Sequence, residues 1–223
     1  MPPLACACDD EIHTPRLVVL TGGPGAGKTA VLEVIRRELC RHVVVLPEAA
    51  SILWTGGFPR RTTTPARRSA QRAIVRLQIE LQRMAIEEGK ASLILCDRGT
   101  LDSLAYWPGE PDEFLADLDT THDRELARYA TVIQLRPPDA RHGYIANGHR
   151  IESAEEAAAI DQKIERAWAG HPRHFVVESS PDFLQKLYGA IELIRAEVPP
   201  CCRSFAWAQE RERAQPLPAP QHT

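Results

Sequence analysis

The sequence predicts a doubly wound α/β fold in which helices flank one five-stranded parallel sheet. Five short runs of aliphatic and β-branched residues alternate with longer segments of helical periodicity. Short, continuously apolar runs are typical of strands buried on both faces, and their alternation with helices is typical of a parallel sheet. The predicted strands are 16–22, 43–48, 91–99, 130–137 and 174–180.

Three segments carry apolar residues at the spacing of an amphipathic helix, and a fourth, from Ser153, opens as S-x-E-E, which is close to a capping box. In one of them Ile74, Leu77, Leu81 and Met84 recur on one face, and Pro65 suits the first turn. The predicted helices are 27–40, 65–88, 153–168 and 181–197. We expect residues 1–15 to form a flexible N-terminus, 16–198 to form the domain, and the Pro-rich residues 199–223 to form a flexible tail.

The bulk composition excludes several classes of protein. The chain has 223 residues, of which 43% are hydrophobic and 26% are charged, and its net charge is −3. This balance predicts a globular protein with a substantial core and no electrostatic preference for nucleic acid. The six cysteines form no paired zinc motif, and none of the eight histidines is predicted to bind metal. With no apolar run long enough to cross a membrane, we expect a cytoplasmic protein with no transmembrane segment.

A glycine-rich stretch follows the first predicted strand and opens the first predicted helix. It reads LTGGPGAGKT and fits the phosphate-loop pattern G-x-x-x-x-G-K-[ST]. Such a loop turns backbone N–H groups toward phosphate oxygens, and the helix N-terminus adds positive potential. The motif predicts a P-loop NTPase that binds ATP or GTP with Mg²⁺. The predicted nucleotide-binding residues are Gly22, Gly23, Pro24, Gly25, Ala26, Gly27, Lys28, Thr29 and Ala30, with Lys28 at the β- and γ-phosphates and Thr29 on the metal.

Three charged residues end the second and third predicted strands. Glu48 ends the second strand, and Asp97 and Arg98 end the third. Because ligands of α/β sheets bind beyond the carboxyl ends of the strands, we expect all three beside the phosphate loop. Glu48 is the candidate base for an acceptor hydroxyl, Asp97 a candidate Mg²⁺ ligand, and Arg98 a candidate phosphate contact. The alternatives are that both acids cap the following helices and that Arg98 lies on the surface.

Two arginine-bearing segments are further candidates for phosphate recognition. The residues between the fourth strand and the next helix resemble a mobile lid, about 137–170, that closes an arginine over the phosphates. Arg150 is the first candidate and Arg136 and Arg141 follow, while the alternative is that each lies on the surface. The basic stretch from Arg60 to Arg72 suits an anionic substrate or a lipid headgroup, unless it is a solvated loop. Gln71 and Gln78 share a helix face and are candidates to meet a base or an amide.

Several stretches together resemble one family. VVVLPEAAS, LILCDRGTLDSLAYWP, RIESAEEA and AWAGHP follow LTGGPGAGKT in the order found in the AAA-domain family that groups NadR-type nicotinamide riboside kinases with the insect translocation-defect-14 protein. The resemblance spans about residues 16–197 and implies a nucleoside-kinase-like fold that binds ATP or GTP with Mg²⁺. It implies that Glu48 is the base and that Asp97 and Arg98 contact Mg²⁺ and phosphates. The chain has no room for the DNA-binding and adenylyltransferase parts of bifunctional NadR, so the nicotinamide riboside substrate is not carried over.

These observations favour a kinase that transfers the γ-phosphate to a small-molecule hydroxyl. The sequence does not identify the acceptor, and anionic molecules are among the candidates. The alternative is a nucleotide-dependent switch or binding module for acidic lipid or a protein partner, because the insect relative is associated with GTP and acidic lipids. A motor ATPase is disfavoured, since Asp97 is followed by Arg98 rather than by the glutamate that polarises water in many motors.

Overall fold

The computed structural model describes residues 13–138 and 154–202. In these ranges five strands form one sheet in the order β2-β3-β1-β4-β5, and every neighbouring pair is parallel. The strands are β1 Arg16–Thr21, β2 Val43–Leu46, β3 Leu93–Asp97, β4 Thr131–Leu135 and β5 His174–Val177. The predicted doubly wound parallel sheet with its five strands is confirmed.

Helices connect successive strands and cover both faces of the sheet. Those described are α1 Lys28–Glu38, α2 Ala49–Thr55, α3 Thr64–Glu87, α4 Pro111–Asp117, α5 His122–Ala127, α6 Ala154–Ala167 and α7 Phe183–Glu197, with a 3-10 helix at Thr100–Ala105. Four of these correspond to predicted helices. α2, α4, α5 and the 3-10 helix are additional; each has only six or seven residues, too few to display helical periodicity.

The central strand β1 separates two apolar layers. Its side chains point alternately to the two faces, and none of residues 17–20 exposes more than 9% of its surface. One layer contains Val18 and Leu20 with residues of α1 and α7, and the other contains Leu17 and Val19 with residues of α3 and α6. Burial on both faces explains why the strands are apolar throughout rather than alternating.

The strand register places the charged strand ends together. Leu20 of β1 pairs with Asp97 of β3, and Leu46 of β2 pairs with Cys96 of β3. The residues that follow β1, β2 and β3 therefore leave the sheet at the same edge. This is the edge at which the phosphate loop begins.

Across residues 13–138 and 154–202, the helices include none that combines the length and apolar character required to cross a bilayer.

Candidate functional site

The loop between β1 and α1 depends on glycines in the left-handed backbone region. Gly22, Gly25 and Gly27 have φ values of 132°, 77° and 95°, which side-chain-bearing residues rarely adopt. Gly22 also lies against β4, where an added Cβ would stand 2.1 Å from the carbonyl oxygen of Leu135. The loop thus packs tightly against the sheet edge while its outer side stays open.

We expect Gly22→Ala to destabilise the fold by more than about 3 kcal/mol, since the new methyl group meets backbone that cannot move aside. Gly57→Ala is the matched control, because Gly57 also has a positive φ of 88° but has no atom within 4 Å of an added Cβ. The control should lose only about 1 kcal/mol, from backbone strain alone. Urea denaturation of both variants checks the difference, and equal losses would contradict the packing argument.

Two lysines bind the carbonyl groups of this loop. The Lys28 ammonium donates to the carbonyls of Gly22 at 2.8 Å and Gly23 at 3.2 Å. The Lys186 ammonium, from α7, donates to Ala26 at 2.7 Å and to the carbonyl of Arg136. Burial lowers the pKa of each lysine to about 8, with Arg98 adding to the effect at Lys28. Lys186 was not predicted, since nothing in α7 marks it until the helix packs on the loop.

A carboxylate of α6 holds the loop from the other side. Asp161 is 2% exposed, and it accepts the backbone N–H of Gly23 at 2.8 Å and the side-chain amide of Gln134 at 3.1 Å. The Arg136 guanidinium binds the same carboxylate at 2.8 Å and Glu165 at 2.7 Å. Asp161, which the sequence analysis missed, therefore fixes the position of α6 relative to the phosphate loop.

The predicted lid arginines have different outcomes. Arg136 is engaged by the α6 carboxylates, which neutralise it. Arg150 and Arg141 lie outside the described residues, so their proposed roles stay predictions. In the C-terminal part of the predicted lid, Ile164 of α6 and the following Trp168 are buried in the core.

Glu48 and Arg98 form an ion pair beside the loop. The Nε atom of Arg98 donates to Glu48 at 2.7 Å, and its Nη1 atom reaches the carbonyl of Gly22 at 3.3 Å. The backbone of Arg98 has a φ of 74°, and the amide of Gln78 holds its carbonyl group. A left-handed arginine in a strand-to-helix turn is strained, and such strain is typical of functional sites. Arg98 is therefore not the surface residue that the alternative interpretation required.

Glu48 precedes α2, yet its side chain does not cap that helix. Its second carboxylate oxygen accepts the Ser51 hydroxyl at 2.5 Å. Burial alone would raise the pKa of this carboxyl, but Arg98 and Ser51 outweigh burial and hold the pKa below its ordinary value. Glu48 is therefore an ionised carboxylate at neutral pH, and it can accept a proton or a hydrogen bond.

The capping role at the next turn belongs to Asp102, which the sequence analysis did not single out. Asp102 accepts the backbone N–H of Gly99 at 3.0 Å, so it closes the turn that follows Asp97 and Arg98. It also accepts the Thr21 hydroxyl at 2.6 Å and the Trp168 indole N–H at 2.9 Å. An acid three residues after a glycine was the sequence signal for this cap.

Asp97 has the properties of a candidate ligand for a cation. Its Oδ1 atom is buried and has no hydrogen-bond partner among the described residues. Burial raises the pKa of Asp97 to about 6, although Lys28 opposes the rise. An unpartnered carboxylate oxygen beside a phosphate loop fits Mg²⁺, which prefers oxygen ligands. Thr29, at the start of α1 and exposed, offers the hydroxyl that this loop type supplies to the metal.

We expect Asp97→Asn to raise the free energy of unfolding of the ligand-free protein by about 1–2 kcal/mol at pH 7. The folded pKa of about 6 lies above 3.8, the ordinary pKa of an aspartate carboxyl, so ionisation favours the unfolded state, and wild-type stability falls as the pH rises through this window. The variant cannot ionise and escapes this loss. Urea denaturation without nucleotide or metal measures the difference in unfolding free energy between the variant and the wild type. This difference should be about half as large at pH 5 as at pH 7. A variant less stable than wild type at pH 7 would contradict the assignment.

A cavity of about 370 Å³ adjoins the phosphate loop. We call it the Glu48 cavity, and its lining residues are Pro24, Glu48, Ala50, Ser51, Trp54, Arg60, Gln71, Ile74, Gln78, Arg98, Gly99, Asp102, Ser103 and Tyr106. Its wall carries aromatic rings and its base carries the Glu48–Arg98 pair. Gln71 and Gln78, which were predicted to share a helix face, both reach it.

Most of the predicted basic stretch is engaged within the chain. Arg68 pairs with Glu113, Arg72 pairs with Asp117 at 2.8 Å, and Arg67 donates to the carbonyl of Tyr106. The Arg60 guanidinium stacks over Trp54, 5.4 Å from the ring centroid. The contacts of Arg67, Arg68 and Arg72 fasten α3 to the elements around the Glu48 cavity. Arg68 and Arg72 are paired with acids, which lowers the net positive charge that a lipid headgroup would meet, whereas Arg60 and Arg67 keep their charge.

Three solved structures share this fold. Thymidylate kinase from Candida albicans has a TM-score of 0.53 at 15% identity, and the match covers 82% of this chain and 94% of that chain. The deoxyadenosine kinase from M. mycoides with bound dATP has a TM-score of 0.52 at 14% identity, with 82% and 98% covered. The NadR protein in complex with NR has a TM-score of 0.63 at 16% identity; the match covers 83% of this chain but only 52% of the NadR chain. The P-loop fold of nucleoside and nucleotide kinases is thereby established.

Sequence comparison places the chain in a family. No curated protein sequence matches the chain significantly. An AAA domain family model matches residues 17–186, which span the phosphate loop, all five strands and the residues around the Glu48 cavity. This match and the NadR structure confirm the resemblance noted in the sequence. The chain belongs to this AAA domain family, with the fold of a nucleoside or nucleotide kinase.

Proposed function

We propose that the protein is a kinase that transfers the γ-phosphate of ATP to a hydroxyl group of a small molecule. The observation that carries the proposal is the Glu48 cavity, which adjoins the phosphate loop at Pro24 and contains the Glu48–Arg98 pair. The cavity provides room for an acceptor beside the phosphate loop, which a kinase requires. An acceptor bound in the cavity would present its hydroxyl group between the carboxylate and the γ-phosphate.

The chemistry requires one bond to form and one to break. The acceptor oxygen attacks the γ-phosphorus, the bond from that phosphorus to the β,γ-bridging oxygen breaks, and ADP leaves. Glu48 orients the hydroxyl group and receives its proton, while Lys28 and Arg98 stabilise the charge on the transferring group. Bound Mg²⁺, held by Asp97 and Thr29, would neutralise charge on the phosphates.

The lining of the cavity favours an acceptor that is a small molecule with a flat, polar ring. Trp54 and Tyr106 offer aromatic faces, and Gln71 offers an amide that can pair with ring heteroatoms. Arg60, stacked on Trp54, adds a cation that would favour an acceptor carrying a negative group. The first molecules to test are those named with the similar structures, namely thymidylate and deoxyadenosine from the two kinases and the NR bound to NadR.

The test is a screen of the purified full-length protein with MgATP and these acceptors, followed by other nucleosides. ³¹P NMR of the mixture separates a phosphorylated acceptor from free phosphate, so transfer is distinguished from hydrolysis. We expect one acceptor to raise ADP release at least about 100-fold over the acceptor-free rate. Free phosphate as the sole product with every acceptor would reject the kinase and leave an NTPase.

The switch or binding-module alternative stays a prediction, as does the cytoplasmic location. The contacts of the basic stretch argue against a module that binds acidic lipid, since Arg67, Arg68 and Arg72 bind other residues of the chain. Co-sedimentation with anionic vesicles at low salt, with and without nucleotide, measures this alternative directly.

A further inference from the structure

Three metal-ligating side chains meet at the sheet edge opposite the phosphate loop. His13 precedes β1, His42 precedes β2 and Cys202 follows α7. The Nε2 atom of His13 and the Nδ1 atom of His42 each lie 3.8 Å from the Sγ atom of Cys202. All three ligand atoms lie within 4.8 Å of one another. We call this group the His-Cys cluster.

The spacing of the His-Cys cluster suits a tetrahedral metal. Tetrahedral zinc, with Zn–S near 2.3 Å and Zn–N near 2.05 Å, separates sulfur from nitrogen by about 3.6 Å. The two observed separations exceed this by about 0.2 Å. The Cys201 sulfur lies 4.0 Å from that of Cys202 but outside the group of three mutually close ligand atoms, so a water molecule would complete the tetrahedron.

Existing contacts hold the segments of the His-Cys cluster in place before any metal binds. The His42 carbonyl accepts the N–H of Ser92 at 2.8 Å, which fixes the entry to β2 against β3. The N–H of Cys202 donates to the carbonyl of Pro199 at 2.9 Å, and its side chain is 3% exposed against the core. Buried Glu197 binds Arg16 at 2.9 Å, so the end of α7 is already tied to the start of β1. A site assembled in this way loses little entropy when metal enters.

The ligand atoms of the His-Cys cluster determine which kind of cation it can bind. Two imidazoles and a thiolate are ligands for zinc, whereas Mg²⁺ and Ca²⁺ require the oxygen ligands that this cluster lacks among the described residues. The cluster lies at the amino ends of the strands, and the nucleotide site lies at their carboxyl ends. It therefore has no part in the phosphate chemistry.

We propose that His13, His42 and Cys202 bind one structural Zn²⁺ that clamps the segment before β1 to the segment after α7. The sequence analysis expected no metal-ligating histidine, because ligands from three distant segments leave no short motif. Binding requires the thiolate form of cysteine, so uptake of Zn²⁺ releases a proton.

The test uses the full-length protein, stripped of metal, in a Cys6→Ser, Cys8→Ser background so that these two thiols contribute nothing. We expect one equivalent of Zn²⁺ to bind and to raise the Tm. Co²⁺ in its place should give visible bands of tetrahedral geometry and a near-ultraviolet band from thiolate coordination. Cys202→Ser should weaken Zn²⁺ binding at least about 100-fold and remove the thiolate band.

His13→Gln gives an independent test, because His13 is only half-buried and precedes β1, so its loss spares the core. It should also weaken Zn²⁺ binding at least about 100-fold. His122→Gln is the matched control, since this histidine binds the carbonyl of Ala167 instead. Asp97→Asn is the control for metal at the nucleotide site, and both controls should keep one equivalent. The proposal is overturned if the parent protein binds no stoichiometric Zn²⁺, if His13→Gln binds it normally, or if Asp97→Asn abolishes binding.

Discussion

Replacing Lys28 with alanine is expected to reduce phosphoryl transfer by about 10²–10⁴-fold, the range seen when a charge-stabilising group is lost from a phosphoryl-transfer site. In the ligand-free protein the ammonium binds the carbonyls of Gly22 and Gly23. It therefore lies on the loop that receives the phosphates, where burial lowers its pKa to about 8. Alanine removes the charge that would face the γ-phosphate, together with these two hydrogen bonds to the loop.

The measurement is the rate of transfer to the acceptor found in the screen, together with nucleotide affinity from a fluorescent ATP analogue. Lys90→Ala, which removes an exposed lysine before β3, is the control and should leave both quantities unchanged. A further signature follows from the lowered pKa of Lys28. Nucleotide affinity should decline above about pH 8 in the wild type, as the ammonium loses its proton, and should lose this dependence in Lys28→Ala. Transfer within about twofold of wild type in the variant would refute the role of Lys28.

The strands were predictable because burial on both faces demands apolar, β-branched runs of limited length. The errors lie at the strand ends, as in β3, which was predicted as 91–99 and spans Leu93–Asp97. The hydrogen bonding of β3 to its neighbours ends where Arg98 adopts a left-handed backbone conformation. In a sequence, glycine is the usual sign of that conformation, so it could not be predicted at an arginine. The order of the strands depends on contacts between distant segments, which local periodicity does not encode.

The residues of the candidate site divide in the same way. The positions of Glu48, Asp97 and Arg98 were predictable, because parallel strands end at a common edge of the sheet. A charged residue at the end of such a strand is therefore expected beside the phosphate loop. Asp161 and Lys186 reach the phosphate loop from α6 and α7, and only the packing of those helices brings them there. Their sequence surroundings are those of ordinary helical residues. The residues that could not be predicted from the sequence are therefore mainly those on neighbouring helices that hold the phosphate loop in its conformation.

The second large effect is expected from Glu48→Gln, which should reduce transfer by about 10²–10⁴-fold while nucleotide affinity stays within about threefold. The amide has the shape of the carboxylate, so it can still accept from Arg98 and can donate to Ser51. What it loses is the negative charge that receives the proton of the acceptor hydroxyl. Transfer rate and nucleotide affinity are measured as for Lys28→Ala, with acceptor affinity from equilibrium titration.

Ser51→Ala is the matched control, because it removes the 2.5 Å hydrogen bond to Glu48 and keeps the charge. Its transfer rate should fall by less than about tenfold, in keeping with the loss of one positioning contact. A second comparison separates the two things that Glu48 can do, which are to hold Arg98 and to receive the proton. If holding Arg98 were its whole role, Arg98→Lys would lose as much transfer as Glu48→Gln, and the double variant would lose no more than either. If Glu48 receives the proton, the double variant should be slower than Arg98→Lys by nearly the full effect of Glu48→Gln, and that is the expected result.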